Sequence, residues 1–222
     1  MRTAFLFDLN GTMIDDMEYH VRAWTTLLNE DLKAGLTDKQ IRGQMYGKND
    51  ELFDRIFGPG RFTPEEVARW SMEKERRYQK AYLPDLRLIP GLERFLSDAR
   101  AAGIALGIGT AAIPFNVDFV LDNLHLRSSF DALVTADDVA LSKPNPEVYL
   151  KCARLLQTPP ERCVVFEDAP KGVEAAFNAG MKAVVILSTL HGRGDFVGYP
   201  NVLRYVYDYT EITAEGIEAQ LK

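Results

Sequence analysis

Cysteine is scarce in this chain: only Cys152 and Cys163 occur in 222 residues. Two cysteines cannot make a disulfide framework, and neither sits in a Cys-x-x-Cys pair, so disulfide-stapled and dithiol-redox classes are excluded. Cys163 opens the apolar run Cys163-Val164-Val165-Phe166, which marks a buried thiol rather than a nucleophile. Long hydrophobic runs are lacking as well. Ala4-Phe5-Leu6-Phe7 is too short for a signal-peptide core. No window approaches the roughly 18 apolar residues that span a bilayer, so a cytoplasmic protein with no membrane partner is expected. Positive charge is in deficit, with 26 Lys+Arg against 32 Asp+Glu and a net charge of -6. That balance argues against a nucleic-acid partner held by broad phosphate neutralisation. It leaves phosphate chemistry open through a metal or a few placed cations. Repeats and low-complexity tracts are absent, and 46% hydrophobic residues supply a real core.

What is present is a change of texture along the chain. Ala4 to Phe7 is a short apolar run ending at Asp8, the pattern of a fully buried strand. From about Asp16 to Leu83 the periodicity is almost wholly helical, with Tyr19, Ala23, Leu27 and Leu28 spaced for one face. Breaks are expected at Gly35, Gly43, Gly47 and Gly58-Pro59-Gly60, and a boundary at Pro84-Asp85 and Pro90-Gly91. Helices then alternate with strands. Helices are predicted over 92–102, 116–124, 147–156 and 172–179, and strands over 104–108, 132–135, 163–166 and 183–187. Alternation of this kind implies right-handed crossovers and a parallel sheet covered on both faces. The expected architecture is an α/β, Rossmann-like core, residues 1–15 and 84–222, with an inserted α-helical cap, residues 16–83.

Ligands of such sheets bind beyond the C-terminal strand ends. Asp8-Leu9-Asn10-Gly11-Thr12 follows the first strand, Thr110 the second, Lys143-Pro144 lies after the third, and Glu167-Asp168 end the fourth. Each has an ordinary alternative. Asn-Gly is a hairpin dipeptide, but a hairpin needs a second alternating strand, and Met13 onward is helical in pattern. A Thr after a strand is a common helix N-cap, and an acidic pair suits the positive end of a helix. A lone Lys before Pro is usually a solvated loop residue. The ordered convergence of all of them on one rim is what the alternatives do not explain.

These motifs resemble those of the haloacid dehalogenase superfamily, whose phosphatases carry Asp-x-Asp-Gly-Thr where this chain has Asp8-Leu9-Asn10-Gly11-Thr12. Thr110, Lys143-Pro144 and Glu167-Asp168-Ala169-Pro170-Lys171-Gly172 match the other motifs in order, across essentially the whole chain. Asp15-Asp16-Met17-Glu18-Tyr19-His20-Val21-Arg22-Ala23-Trp24 is similar to the start of the cap in β-phosphoglucomutase and related small-sugar phosphatases. The resemblance implies a hydrolase using Mg²⁺, with Asp8 attacking phosphorus to form an aspartyl-phosphate. It implies metal ligation by Asp8, Asp168 and the Asn10 backbone carbonyl, with Glu167 assisting. Lys143 and Thr110 would hold the transferring phosphoryl. Gly11, Thr12 and Ala111, with His20, Gly47 and Lys48 of the cap, are the expected substrate contacts. A monomer acting on a small phosphorylated metabolite is expected.

Asn10 departs from the pattern. The phosphatases hold an Asp there, which protonates the leaving oxygen and activates water; general acid–base catalysis is worth about 10²–10⁴-fold. Three readings stay open: turnover of esters with good leaving groups, a proton from His20 or a cap carboxylate, or a variant of an aspartate enzyme. Mutase chemistry is disfavoured. Tyr46-Gly47-Lys48-Asn49-Asp50 lacks the expected Arg, and Ala111-Ala112-Ile113 lacks the hydroxyl and amine of a second phosphate site. The chain is therefore expected to be a phosphatase, with a mutase or a non-catalytic binder of a phosphorylated metabolite as alternatives.

Overall fold

Ala4–Phe7 forms the first strand, β1, and every one of its residues is buried. In the computed structural model, which describes residues 2–187 and 190–221, β1 lies inside a six-stranded sheet. The other strands are β2 (Ala105–Gly109), β3 (Ala132–Val134), β4 (Cys163–Glu167), β5 (Lys182–Ile186) and β6 (Val202–Val206). Their order is β3-β2-β1-β4-β5-β6 and every pairing is parallel. This is the strand order of doubly wound dinucleotide-binding folds.

Two compact units divide the chain: Met1–Asp15 with Arg87–Lys222, and Asp16–Leu86. The second unit is helical, with α1 (Met17–Thr25), α2 (Asp38–Gln44), α3 (Asn49–Phe57) and α4 (Pro64–Tyr82). Thr37 and Thr63 start α2 and α4 with capping boxes closed by Gln40 and Glu66. Trp24, Leu27, Leu28, Ile41, Leu52 and Phe53 make its core. Gly43, expected as a break, lies instead in the last turn of α2.

The sheet unit adds α5 (Leu92–Ala101), α6 (Pro114–Asn123), α7 (Glu147–Leu155), α8 (Pro170–Asn178) and α9 (Ala214–Glu218). α6 and α8 begin two residues before their predicted starts. Each has proline as its first residue, where a fixed φ and a missing N–H cost nothing. Alternation along β1 sends Phe5 and Phe7 to one face and Ala4 and Leu6 to the other. Phe5 and Phe7 meet Phe95 and Phe166, with Phe7 and Phe166 stacked at 4.6 Å. Ala4 and Leu6 join Tyr149, Cys152, Val165 and Val173. Burial on both faces explains why β1 is an unbroken apolar run. The strand β6 lies beyond the last predicted one. It is a partly exposed edge strand whose Val-Leu-Arg-Tyr-Val pattern lacks a continuous apolar run. Among the described residues no helix is long and apolar enough to cross a membrane.

Candidate active site

The direction of strand addition reverses between β1 and β4, and the crevice beyond their C-terminal ends is where such sheets bind ligands. Asp8 stands there directly after β1, its N–H still donating to the Phe166 carbonyl at 3.0 Å. Leu9 then turns the chain. Its carbonyl accepts from the N–H groups of Thr12, Met13 and Ile14, and no second strand follows, so Asn10-Gly11 is not a hairpin turn. Gly11 has φ +70°, and a Cβ there would overlap the Asp168 carboxylate. The glycine is what lets the loop approach Asp168 so closely. Thr12 is fully buried and faces Asp168 at 3.5 Å, while its carbonyl accepts from the Tyr209 hydroxyl at 3.0 Å.

Lys143 joins the acidic groups. Its ammonium donates to Asp8 Oδ1 at 2.7 Å and to Glu167 Oε1 at 2.6 Å. The side chain is only 9% exposed, so charge inside this crevice is matched by charge. Burial works against the ammonium, but Asp8 and Glu167 outweigh it and hold Lys143 above the ordinary lysine range. Burial pushes the Asp8 carboxyl up to about 6, with Lys143 opposing the shift. Thr110 directly follows β2, its N–H donating to the Val134 carbonyl and its hydroxyl accepting from Ala112 N–H at 3.1 Å. It also hydrogen-bonds Asp8, which favours the carboxylate. Ala111 follows in the same loop and offers only backbone.

Glu167 is bracketed on both oxygens. Oε1 accepts from Lys143 and from the Tyr149 hydroxyl at 2.7 Å, and Oε2 accepts the N–H groups of Asp168 at 3.0 Å and Ala169 at 3.1 Å. Asp8, Glu167 and Asp168 each bring one oxygen within 4.8 Å of the others, and all three are buried. A hard, all-oxygen donor set of this kind fits a cation such as Mg²⁺.

Of the sequence candidates, Asp8, Gly11, Thr12, Thr110, Ala111, Lys143, Glu167 and Asp168 surround this crevice, and Asn10 belongs to the same loop. His20, Gly47 and Lys48 lie in the helical unit. There His20 stacks on Tyr78 at 3.8 Å, with Nε2 3.3 Å from Asp16 and Nδ1 2.6 Å from Lys74 Nζ. Lys74 is itself buried and paired with Glu75 at 3.0 Å. Gly47 has φ +77°, and the Lys48 N–H is tied to Glu51 at 3.1 Å.

Sequence reasoning passed over Tyr149 and the Lys74–Glu75 pair. For Tyr149 the available signal was a tyrosine, a residue with a polar end, six positions beyond Lys143 on α7. The motif match includes Gly172 without giving it a role, because only the fold brings it against Glu167: a Cβ there would overlap that carboxylate.

A family model described as haloacid dehalogenase-like hydrolase matches residues 3–180. The chain is 30% identical over 216 residues to a β-phosphoglucomutase of Bacillus subtilis, covering 93% of this chain and 91% of that protein. It is 30% identical over 186 residues to a fructose-1-phosphate phosphatase of Escherichia coli, covering 82% and 94%. A crystal structure of β-phosphoglucomutase from Clostridium difficile is similar in fold with a TM-score of 0.85 at 26% identity, covering 100% and 97%.

Proposed function

Since the chain belongs to the haloacid dehalogenase-like hydrolases, we propose that it is a Mg²⁺-dependent phosphatase of a small phosphorylated metabolite, a sugar phosphate by its relatives. The observation that carries this reading is the meeting of Asp8, Lys143 and the Glu167–Asp168 pair at the strand reversal.

Asp8 attacks phosphorus in line with the departing oxygen. The new bond is from the Asp8 carboxylate to phosphorus, the bond to the leaving oxygen breaks, and an aspartyl-phosphate results. Water then attacks the phosphorus, releasing phosphate and restoring Asp8. Asp8 and Asp168 would hold the Mg²⁺ together with the backbone carbonyl of Asn10. When bound, the ion offsets the repulsion between two anions and polarises the phosphoryl oxygens. Glu167 supports the site by holding Lys143, since its own oxygens are already accepting. Lys143 neutralises charge on the transferring phosphoryl, and Thr110 orients its oxygens beside Asp8. Selection of the substrate is assigned to the inserted helical unit.

Asn10 limits the rate rather than the pathway. Its amide cannot give a proton to the leaving oxygen, so esters with acidic leaving groups turn over best. His20 is a poor replacement, because both of its ring nitrogens are engaged with Asp16 and Lys74. A sugar-phosphate mutase is the second reading, supported by the match to β-phosphoglucomutase over 93% of this chain.

A steady-state screen of phosphate monoesters with Mg²⁺ tests the proposal on this protein, Asp8→Ala and Asn10→Asp. Weak turnover, lost in Asp8→Ala and raised in Asn10→Asp, is expected. Parental rates in Asp8→Ala would sink the mechanism. Conversion of β-glucose-1-phosphate to glucose-6-phosphate on addition of a bisphosphate activator would favour the mutase.

A further inference from the structure

Tyr149 is fully buried on α7, yet its polar end reaches the crevice. Its hydroxyl donates to Glu167 Oε1 at 2.7 Å, and its ring lies 4.8 Å from Lys143 Nζ. One aromatic side chain therefore touches both partners of the Lys143–Glu167 ion pair: the carboxylate through a hydrogen bond, the ammonium through the ring face. Among the described residues Lys143 Nζ makes one other charged contact, at 2.7 Å, with Asp8. The backbone provides for this arrangement. The Tyr149 ring lies over Gly109 at the end of β2, where a Cβ would come to 3.0 Å from Cδ1 and 3.1 Å from Cε1. A Cβ at 109 would require the ring to shift by a few tenths of an ångström.

We propose that Tyr149 is a positioning residue for phosphoryl transfer: by fixing Glu167 and bounding Lys143 it aims the lysine ammonium at the group that Asp8 attacks. The proposal rests on the phosphatase reading above. The charge that Lys143 meets is greatest in the transition state, so misaiming the ammonium weakens transition-state binding more than ground-state binding. A purely structural tyrosine would weaken both alike.

Tyr149→Phe removes only the hydroxyl and keeps the ring. Loss of one hydrogen bond to a charged group corresponds to a rate effect on the order of tenfold or more. With the best ester from the screen, kcat is expected to fall by about that factor while KM changes less than about twofold. Orthovanadate, which mimics the five-coordinate transition state, and inorganic phosphate, the product, then separate the two roles with Mg²⁺ present. Calorimetric titration of Tyr149→Phe is expected to show vanadate binding weakened about tenfold and phosphate binding within about twofold. Gly109→Ala, which displaces the ring and keeps every functional group, is expected to show the same selectivity. Parental kcat and vanadate affinity in Tyr149→Phe would overturn the proposal. So would an equal loss of vanadate and phosphate affinity. A parent protein that hydrolyses no ester and prefers neither anion would instead defeat the phosphatase reading itself, and this proposal with it.

Discussion

Replacing Gly172 by alanine puts two physical effects in direct opposition. Gly172 lies in the first turn of α8, and glycine in a helix is about 1 kcal/mol worse than alanine. On helix propensity alone Gly172→Ala stabilises the protein. The structure reverses the sign. The alanine Cβ would occupy the space of the Glu167 carboxylate, which is 1% exposed and accepts from Lys143, Tyr149, Asp168 N–H and Ala169 N–H. Moving that carboxylate breaks at least two bonds to a charged group, at about 1.5–3 kcal/mol each. Net of the helix gain, the loss is about 2–5 kcal/mol. For a chain of this size each kcal/mol lowers Tm by roughly 2–4 °C, so a fall of about 10 °C is expected. Differential scanning calorimetry of parent and variant reads it directly. The second variant, Gly172→Ala with Glu167→Ala, removes the clash, and its added alanine at 172 is expected to cost almost nothing beyond Glu167→Ala alone. A Gly172→Ala protein that melts at or above the parent would refute the geometry assigned to Glu167.

Other perturbations test separate parts of the site. Asn10→Asp is expected to raise kcat by about 10²–10⁴-fold for alkyl phosphates and far less for aryl phosphates, whose leaving groups need no proton. Equal gains on both classes would show that proton donation is not what Asn10 lacks. Gly11→Ala combines a left-handed backbone, costing about 1–2 kcal/mol, with a Cβ against Asp168. Its Mg²⁺ half-saturation is expected to rise at least about tenfold, and a parental value would contradict the close approach of loop and carboxylate. Without metal, burial raises the Asp8 pKa from 3.8 to about 6 in the folded protein. Its stabilising contribution is therefore fully present below about pH 4 and is lost as pH rises through about 6, an effect of about 3 kcal/mol. Relative to Asp8→Asn, the metal-free parent should lose Tm between pH 4 and 7, and Mg²⁺ should raise its Tm more at pH 8 than at pH 5. A Mg²⁺ effect that is equal at both pH values would be the wrong outcome.

How far the sequence reached depended on the range of the forces involved. β1 and β4 were legible because both are buried on two faces, which leaves an unbroken apolar run. β6 was not, because an edge strand with mixed exposure has neither that run nor clean alternation. The starts of α6 and α8 were placed late because Pro114 and Pro170 act as first helical residues rather than as breaks. Gly43 was assigned as a break on the same habit of treating glycine as punctuation, whereas a glycine in the last turn of a helix is tolerated.

For the site, residue types and their order along the chain were enough to name Asp8, Thr110, Lys143, Glu167 and Asp168 as neighbours, since parallel topology delivers successive strand ends to one edge. Those positions are properties of local pattern and connectivity, which a sequence carries by itself. The contacts among side chains are of another kind. That Lys143 bridges Asp8 and Glu167, that Glu167 is held on both oxygens, and that Gly11 and Gly172 must lack a Cβ are relations between segments up to 159 residues apart. Close packing decides them, because a buried charge keeps its place only when every neighbour leaves it room and a partner.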